Sequence, residues 1–244
     1  DSSDDSGDTD VVPTPTTTDS PPPPKPPRAT SDCDDSSSDE DDSGPVAPPA
    51  PLLSQTFSVN RGASLSRLTE ETVTRLAGSV SGDKLQLVLL QRCKIYILDT
   101  LADATVEQCT GCTLVIGPTV NGITIRDCSD CTITAAGRDV SILGSQGLRL
   151  QLFSANPPGL FQSTGIRIGT WNCAFSGCTD LFNAARLPVG GSSYALVQAD
   201  ARSDFVLVDP GDLPVQELDF EEDGFMEDSG PEMPQELRAL LEAK

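Results

Sequence analysis

No stretch of this 244-residue chain comes near the roughly eighteen uninterrupted apolar residues that a membrane-crossing helix requires. No charged-then-apolar signal segment opens it either, so a soluble protein without a membrane span is expected. Clustered cations are missing as well: sixteen Lys and Arg stand against thirty-seven Asp and Glu, and the basic residues are scattered. Sequence-independent binding of nucleic acid, which needs grouped cations against phosphate, is not expected on that ground. Between Leu85 and Ile168 there is no ten-residue helical stripe, which excludes a helical core for the middle of the chain.

Charge divides what is present. Residues 1–50 hold eleven of the twenty-one net negative charges and residues 209–244 hold ten, leaving 51–208 neutral. The first segment sets Asp39-Glu40-Asp41-Asp42 beside Pro21-Pro22-Pro23-Pro24 with almost nothing apolar to bury, and is expected to be a disordered acidic tail. The segment from 209 reads as a second acidic tail until Pro234. After it, a short amphipathic helix using Leu237, Leu240 and Leu241 is expected, too short to persist without a surface to lie on. The central 158 residues suit one domain with its own core.

That domain repeats itself. Cys93, Cys112 and Cys131 fall nineteen residues apart, as do Cys109 and Cys128, each on a short apolar or alternating run: Arg92-Cys-Lys-Ile-Tyr-Ile, Gly111-Cys-Thr-Leu-Val-Ile, Asp130-Cys-Thr-Ile-Thr. Short repeats bury their apolar faces only by stacking. Nineteen extended residues span roughly 63 Å, so a unit folded into three sides makes one rung of a coil. With β-branched residues on the runs and small polar pairs between them, an all-β, right-handed parallel β-helix of about nineteen residues per coil is expected.

Cys109-x-x-Cys112 and Cys128-x-x-Cys131 also satisfy the spacing of a zinc ribbon. The repeat already forces that spacing, however, and zinc does not explain Cys93, whose partner position is Leu90. Stacking explains all five: equivalent residues on successive rungs lie about 4.8 Å apart, giving a ladder of small buried thiols and no metal. A bridge between rungs fits the separation but not the parallel side-chain geometry, so reduced thiols are expected.

In a strand, residues three apart point to opposite faces. For both members of each pair to face inward, Thr110-Gly111 and Ser129-Asp130 must be corners; Gly117-Pro118 and Gly144 mark others. The rhythm persists to about Gly169. Leu52–Arg67 and Tyr194–Val208 are the expected covers of the two open ends, and Trp171 the expected lid over the last full rung.

The stretches Leu68–Gly82, Ile95-Tyr-Ile-Leu-Asp99, Cys109–Pro118 and Ile125–Cys131 resemble, in order, the signature of the tubulin-binding cofactor C domain, most closely in the retinitis pigmentosa protein two group. The resemblance runs from about Gln55 to Leu187. It implies a β-helix, no cofactor, and partners drawn from Arf-like small GTPases, tubulin or axonemal and basal-body proteins. It further implies a cytoplasmic location at cilium, flagellum, basal body or cytoskeleton. Members accelerate GTP hydrolysis with an arginine finger, a guanidinium that enters the partner's nucleotide site.

The resemblance places that finger at Ser141, ten residues after Cys131, with the preceding glutamines replaced by Arg138 and Asp139. A hydroxyl cannot supply the charge. The acidic residue expected after Pro-Ile-Ile is Phe161. Arg138 is the only rescue candidate, and on one continuous strand it would face away from position 141. Arg126 and Arg149, each inside a rung, are candidates for holding a partner's acidic surface. Two readings follow: a non-catalytic binding or structural module, or a GTPase activator that finds its arginine elsewhere.

Overall fold

In the computed structural model, which describes residues 63–80, 82–218 and 230–242, the repeat is the pitch of a coil. β1 (Ala63–Ser66) and β2 (Thr72–Arg75) form the first rung. β3 (Leu85–Val88) and β4 (Lys94–Ile97), β5 (Ala104–Glu107) and β6 (Thr113–Ile116), and β7 (Gly122–Arg126) and β8 (Thr132–Gly137) form the next three. β9 (Asp139–Leu143) with β10 (Arg149–Ser154), and β11 (Gly159–Phe161) with β12 (Ile166–Thr170), add two more. The first strand of each rung joins one parallel sheet and the second strand joins another.

The pitch is not constant. Ala63 pairs with Leu85, Leu85 with Ala104, Ala104 with Ile123, Ile123 with Val140 and Ile142 with Leu160, so successive rungs advance by 22, 19, 19, 17 and 18 residues. Inward residues still align. Leu87, Val106, Ile125, Ile142 and Leu160 line one wall of the coil, and Ile95, Leu114, Ile133, Leu150 and Ile168 the other, all buried.

The corner between the two sheets follows a fixed rule. Arg67, Leu89, Gln108, Asp127, Gly144 and Gln162 take positive φ at the end of the first strand. Three residues on, Glu70, Arg92, Gly111, Asp130, Gly147 and Gly165 do the same. Two left-handed residues per corner turn the chain twice, and so residues three apart, Cys109 and Cys112 or Cys128 and Cys131, both point inward. The corners read at 110–111, 129–130 and 144 are these. At Gly117 the constraint is different: a side chain there would run into the backbone carbonyl of Asp99, so the chain can pass from Ile116 to buried Pro118 only without one.

The coil does not stop at Gly169. After β12 the chain leaves it, forming β13 (Cys173–Ala174) and α1 (Cys178–Ala184), then returns to lay down β14 (Gln198–Ala199) on β11 and β15 (Phe205–Leu207) on β12. The segment 194–208, expected as a cover, is therefore a seventh rung. At the other end Ala63–Ser66, expected within a cover, is the first; residues 52–62 of that expected cover, and the expected disordered tail 1–50, lie outside the described residues.

A second core lies on the flank of the coil, outside the second sheet. Leu98, Ala136, Phe153 and Trp171 occupy equivalent positions at the ends of successive strands and share a cluster with Phe182 of α1, whose ring packs edge-on against Trp171 and Phe153, each at 5.4 Å. Trp171 is fully buried there, with its Nε1–H donating to the Cys173 carbonyl at 2.7 Å. It is a flank residue, not a lid, because its column continues the outward side of the sheet. β16 (Gln216–Glu217) pairs with β13, and α2 (Gln235–Glu242) closes the flank with Leu237 and Leu241. The helix expected from sequence thus finds its surface within the chain, and the segment from 209 contributes structure to the domain rather than standing apart. Leu240, expected on the apolar face, stays 44% exposed.

Candidate functional site

Within the corner, side chains do what the backbone ladder cannot. Cys109 and Cys128 donate their Sγ–H to the carbonyls of Glu107 and Arg126 at 3.3 and 3.2 Å, each two residues back. Where the thiols end, serines repeat the contact: Ser145 Oγ donates to the Leu143 carbonyl at 3.0 Å and Ser163 Oγ to that of Phe161 at 2.8 Å. The same oxygens accept the amide of the rung before, Cys128 N–H to Ser145 Oγ at 3.2 Å and Ser145 N–H to Ser163 Oγ at 3.0 Å. Ser203 ends the series by accepting from Ser163 N–H at 3.1 Å. In the neighbouring column Cys93, Cys112 and Cys131 donate to carbonyls two residues back, and Cys112 N–H donates to Cys131 Sγ at 3.4 Å.

All seven cysteines of the described residues are free and buried, and no group of three or more ligand side chains among those residues is arranged to hold a metal. The thiol column is a hydrogen-bond ladder. Cys131, Ser145, Ser163 and Ser203 each accept the amide of the preceding rung, while the carbonyls that the thiols donate to also accept a backbone N–H from that rung. In each stacked pair one thiol, Cys109 beside Cys128 and Cys131 beside Cys112, is pushed above the ordinary thiol range by the hydrogen bond to its neighbour and by burial. On the flank, burial alone raises Cys173 to about 12.

The finger position sits on the outward face of the first sheet. Ser141 is half-buried in β9, in register with Thr124 of β7 and Gly159 of β11. Together with Lys84, Gln86, Thr105 and Asp139 it lines a shallow open depression. Phe161 lies on the same face, 43% exposed, and its ring folds across Gly159 so closely that a side chain at 159 would meet Cε2 at 2.8 Å. The two positions singled out in the sequence are thus neighbours, a hydroxyl beside an aromatic ring.

Arg138 is not on a strand with Ser141. β8 ends at Gly137 and β9 starts at Asp139, so Arg138 occupies the bend between them, exposed, with its N–H donating to the Asn121 carbonyl at 3.0 Å. The alternation argument that aimed it away from position 141 does not apply across a bend. Asp139, at the start of β9, accepts from Asn156 Nδ2 at 2.7 Å.

The three arginines picked from sequence do not converge. Arg126 ends β7 and is ion-paired with Glu107 on the preceding rung. Arg138 stands beyond the opposite end of the same sheet, and Arg149 begins β10 on the outward face of the second sheet. Of the depression's polar column only Ser141 was found from sequence; Gln86, Thr105 and Thr124 were not, because single polar residues on strands carry no signal until the register aligns them.

No curated protein matches the chain. Residues 82–197, from the loop before the second rung to the chain's return to the coil, match the family model for tubulin binding cofactor C. The matched residues hold rungs two to six of the coil, with their corner thiols, and α1 of the flank, and that part of the chain is similar to a tubulin binding cofactor C domain.

Proposed function

We propose that this protein is a non-catalytic member of its domain family, a binding module within a cytoskeletal or ciliary assembly built around tubulin or an Arf-like small GTPase. The observation that carries the reading is the pairing of Ser141 with Gly159 under the ring of Phe161. Where the resemblance to the retinitis pigmentosa protein two group implies a guanidinium and a carboxylate, this face offers a hydroxyl and an apolar surface. An arginine finger contributes roughly 10³–10⁵ in rate by neutralising charge on the transferring phosphoryl group. A serine hydroxyl carries no charge to do so, whereas a flat face with an exposed ring remains suited to holding a partner.

A second reading keeps the activator function and moves the finger to Arg138. Its support is the exposed position of that side chain at the bend beside Asp139, which lines the depression. Single-turnover GTP hydrolysis by purified Arf-like GTPases and by tubulin, with complex formation measured in the same samples, separates the two. Binding with less than about a twofold change in hydrolysis rate supports the module; acceleration approaching the finger range, abolished by Arg138→Ala, supports the second reading.

A further inference from the structure

Charged neighbours on the outer surface of the coil follow a pattern with one exception. On adjacent rungs Lys84 faces Asp103 at 3.6 Å, Glu70 faces Arg92 at 2.7 Å, and Glu107 is bonded to Arg126. Each pair joins opposite signs, as in-register side chains of a sheet should. Arg149 and Arg167 break the rule. They are directly in register on β10 and β12, both exposed, and neither forms an ion pair among the described residues. In a chain with a net charge of −21, two arginines stand on adjacent strands whose backbones are about 4.8 Å apart, and neither is paired with a carboxylate among the described residues.

The strip they belong to carries a third cation and no carboxylate. In register on the outward face of the second sheet run Lys94, Thr113, Thr132, Arg149, Arg167 and Val206. From Lys94 to Arg167 is four rung steps, about 19 Å, the reach of an extended segment of about six residues. At the corner beside the strip, Asp204 is occupied in accepting from Gly165 N–H at 3.1 Å and Asp130 lies over Gly147; Glu71, exposed, sits at the Lys94 end. The rest of this sheet's outward face is covered by the flank core, which leaves the strip as its open part.

We propose that the Arg149–Arg167 pair, extended by Lys94, is a docking strip for an extended acidic peptide segment of a partner protein. Like charges held side by side oppose folding, and departures from local rules of this kind concentrate where function requires them. Paired guanidinium forks match carboxylates in both geometry and charge. The strip lies on the other sheet from Ser141. It names the kind of partner that the binding-module reading leaves open and rests on that reading only for its biological role.

The test is fluorescence anisotropy of a labelled oligoglutamate peptide with the full chain. Net charge disfavours non-specific capture of such a peptide, so the proposal expects saturable binding at low salt that weakens as ionic strength rises. Replacing both residues, Arg149→Glu with Arg167→Glu, should lower affinity at least about tenfold, while Arg138→Glu, with the same charge change on the other sheet, should leave it within about twofold. Arg167→Gln, which adds no new charge, should show an intermediate loss, and circular dichroism of each variant should match the wild type. Absence of peptide binding at low salt, equal loss in the Arg138→Glu control, or capture of vesicles containing phosphoinositides in preference to the peptide would each overturn the proposal. None of these outcomes depends on whether GTP hydrolysis is accelerated, so the two readings fail separately.

Discussion

The two sheets of the coil share rungs, corners and interior, yet their outer faces differ completely. On the first sheet the outward residues Gln86, Thr105, Thr124 and Ser141 are polar and uncharged, the first and third exposed and the others half-buried, with Phe161 folded over Gly159 at one edge. On the second sheet the outward side is divided. One part is sealed beneath Phe153, Trp171, Phe182 and α2, and a basic strip is left open beside it. A repeating interior constrains what faces inward at every turn, because each rung must fit the ones above and below it. Outward positions escape that requirement, so the faces are where this molecule differs from any other coil and where its function must be sought.

The largest effect is expected where the second face is sealed. Trp171→Ala should cost about 3–5 kcal/mol in chemical denaturation, the usual loss for truncating a buried aromatic. A loss below about 1 kcal/mol would mean that the flank is not glued to the sheet.

Next in size is the corner that both faces share. Ser145→Ala removes the acceptor of the Cys128 amide and should cost about 1–3 kcal/mol. Ser145→Cys, which restores the residue type of the earlier rungs, should recover part of that loss; equal destabilisation by both would contradict the ladder. Arg149→Glu, by contrast, should stabilise the fold by about 0.2–1 kcal/mol, because it sets opposite charges in register with Arg167 while weakening peptide binding. The smallest effect belongs to the open face: Thr124→Ala and Ser141→Ala should leave the denaturation midpoint within about 0.5 kcal/mol in stability terms.

Much of the coil was legible because inward positions repeat in residue type. Cys93, Cys112 and Cys131 set the period, and the paired cysteines located corners that positive φ at Gly111 and Asp130 bears out. The period faded in the sequence after Cys131 for two physical reasons. The rungs shorten to 17 and 18 residues, and serine takes over the thiol's hydrogen bonds at Ser145 and Ser163. A pattern sought as cysteine at constant spacing cannot see a hydroxyl at another spacing. The seventh rung was hidden by the excursion through the flank, since Leu160 pairs with Ala199 across an insertion that no local pattern spans.

Of the candidate site, Ser141 and Phe161 were identified by resemblance alone, and their adjacency needed the register. Arg167 was missed. Its partnership with Arg149 is an 18-residue spacing, one short of the period that the cysteines advertise.

The most direct test of the account is the single-turnover rate of GTP loss from a bound Arf-like GTPase or tubulin at saturating concentrations of the chain. The account predicts a rate indistinguishable from that of the partner alone while the complex is intact. An acceleration of about a thousandfold, the contribution of an arginine finger, would contradict it.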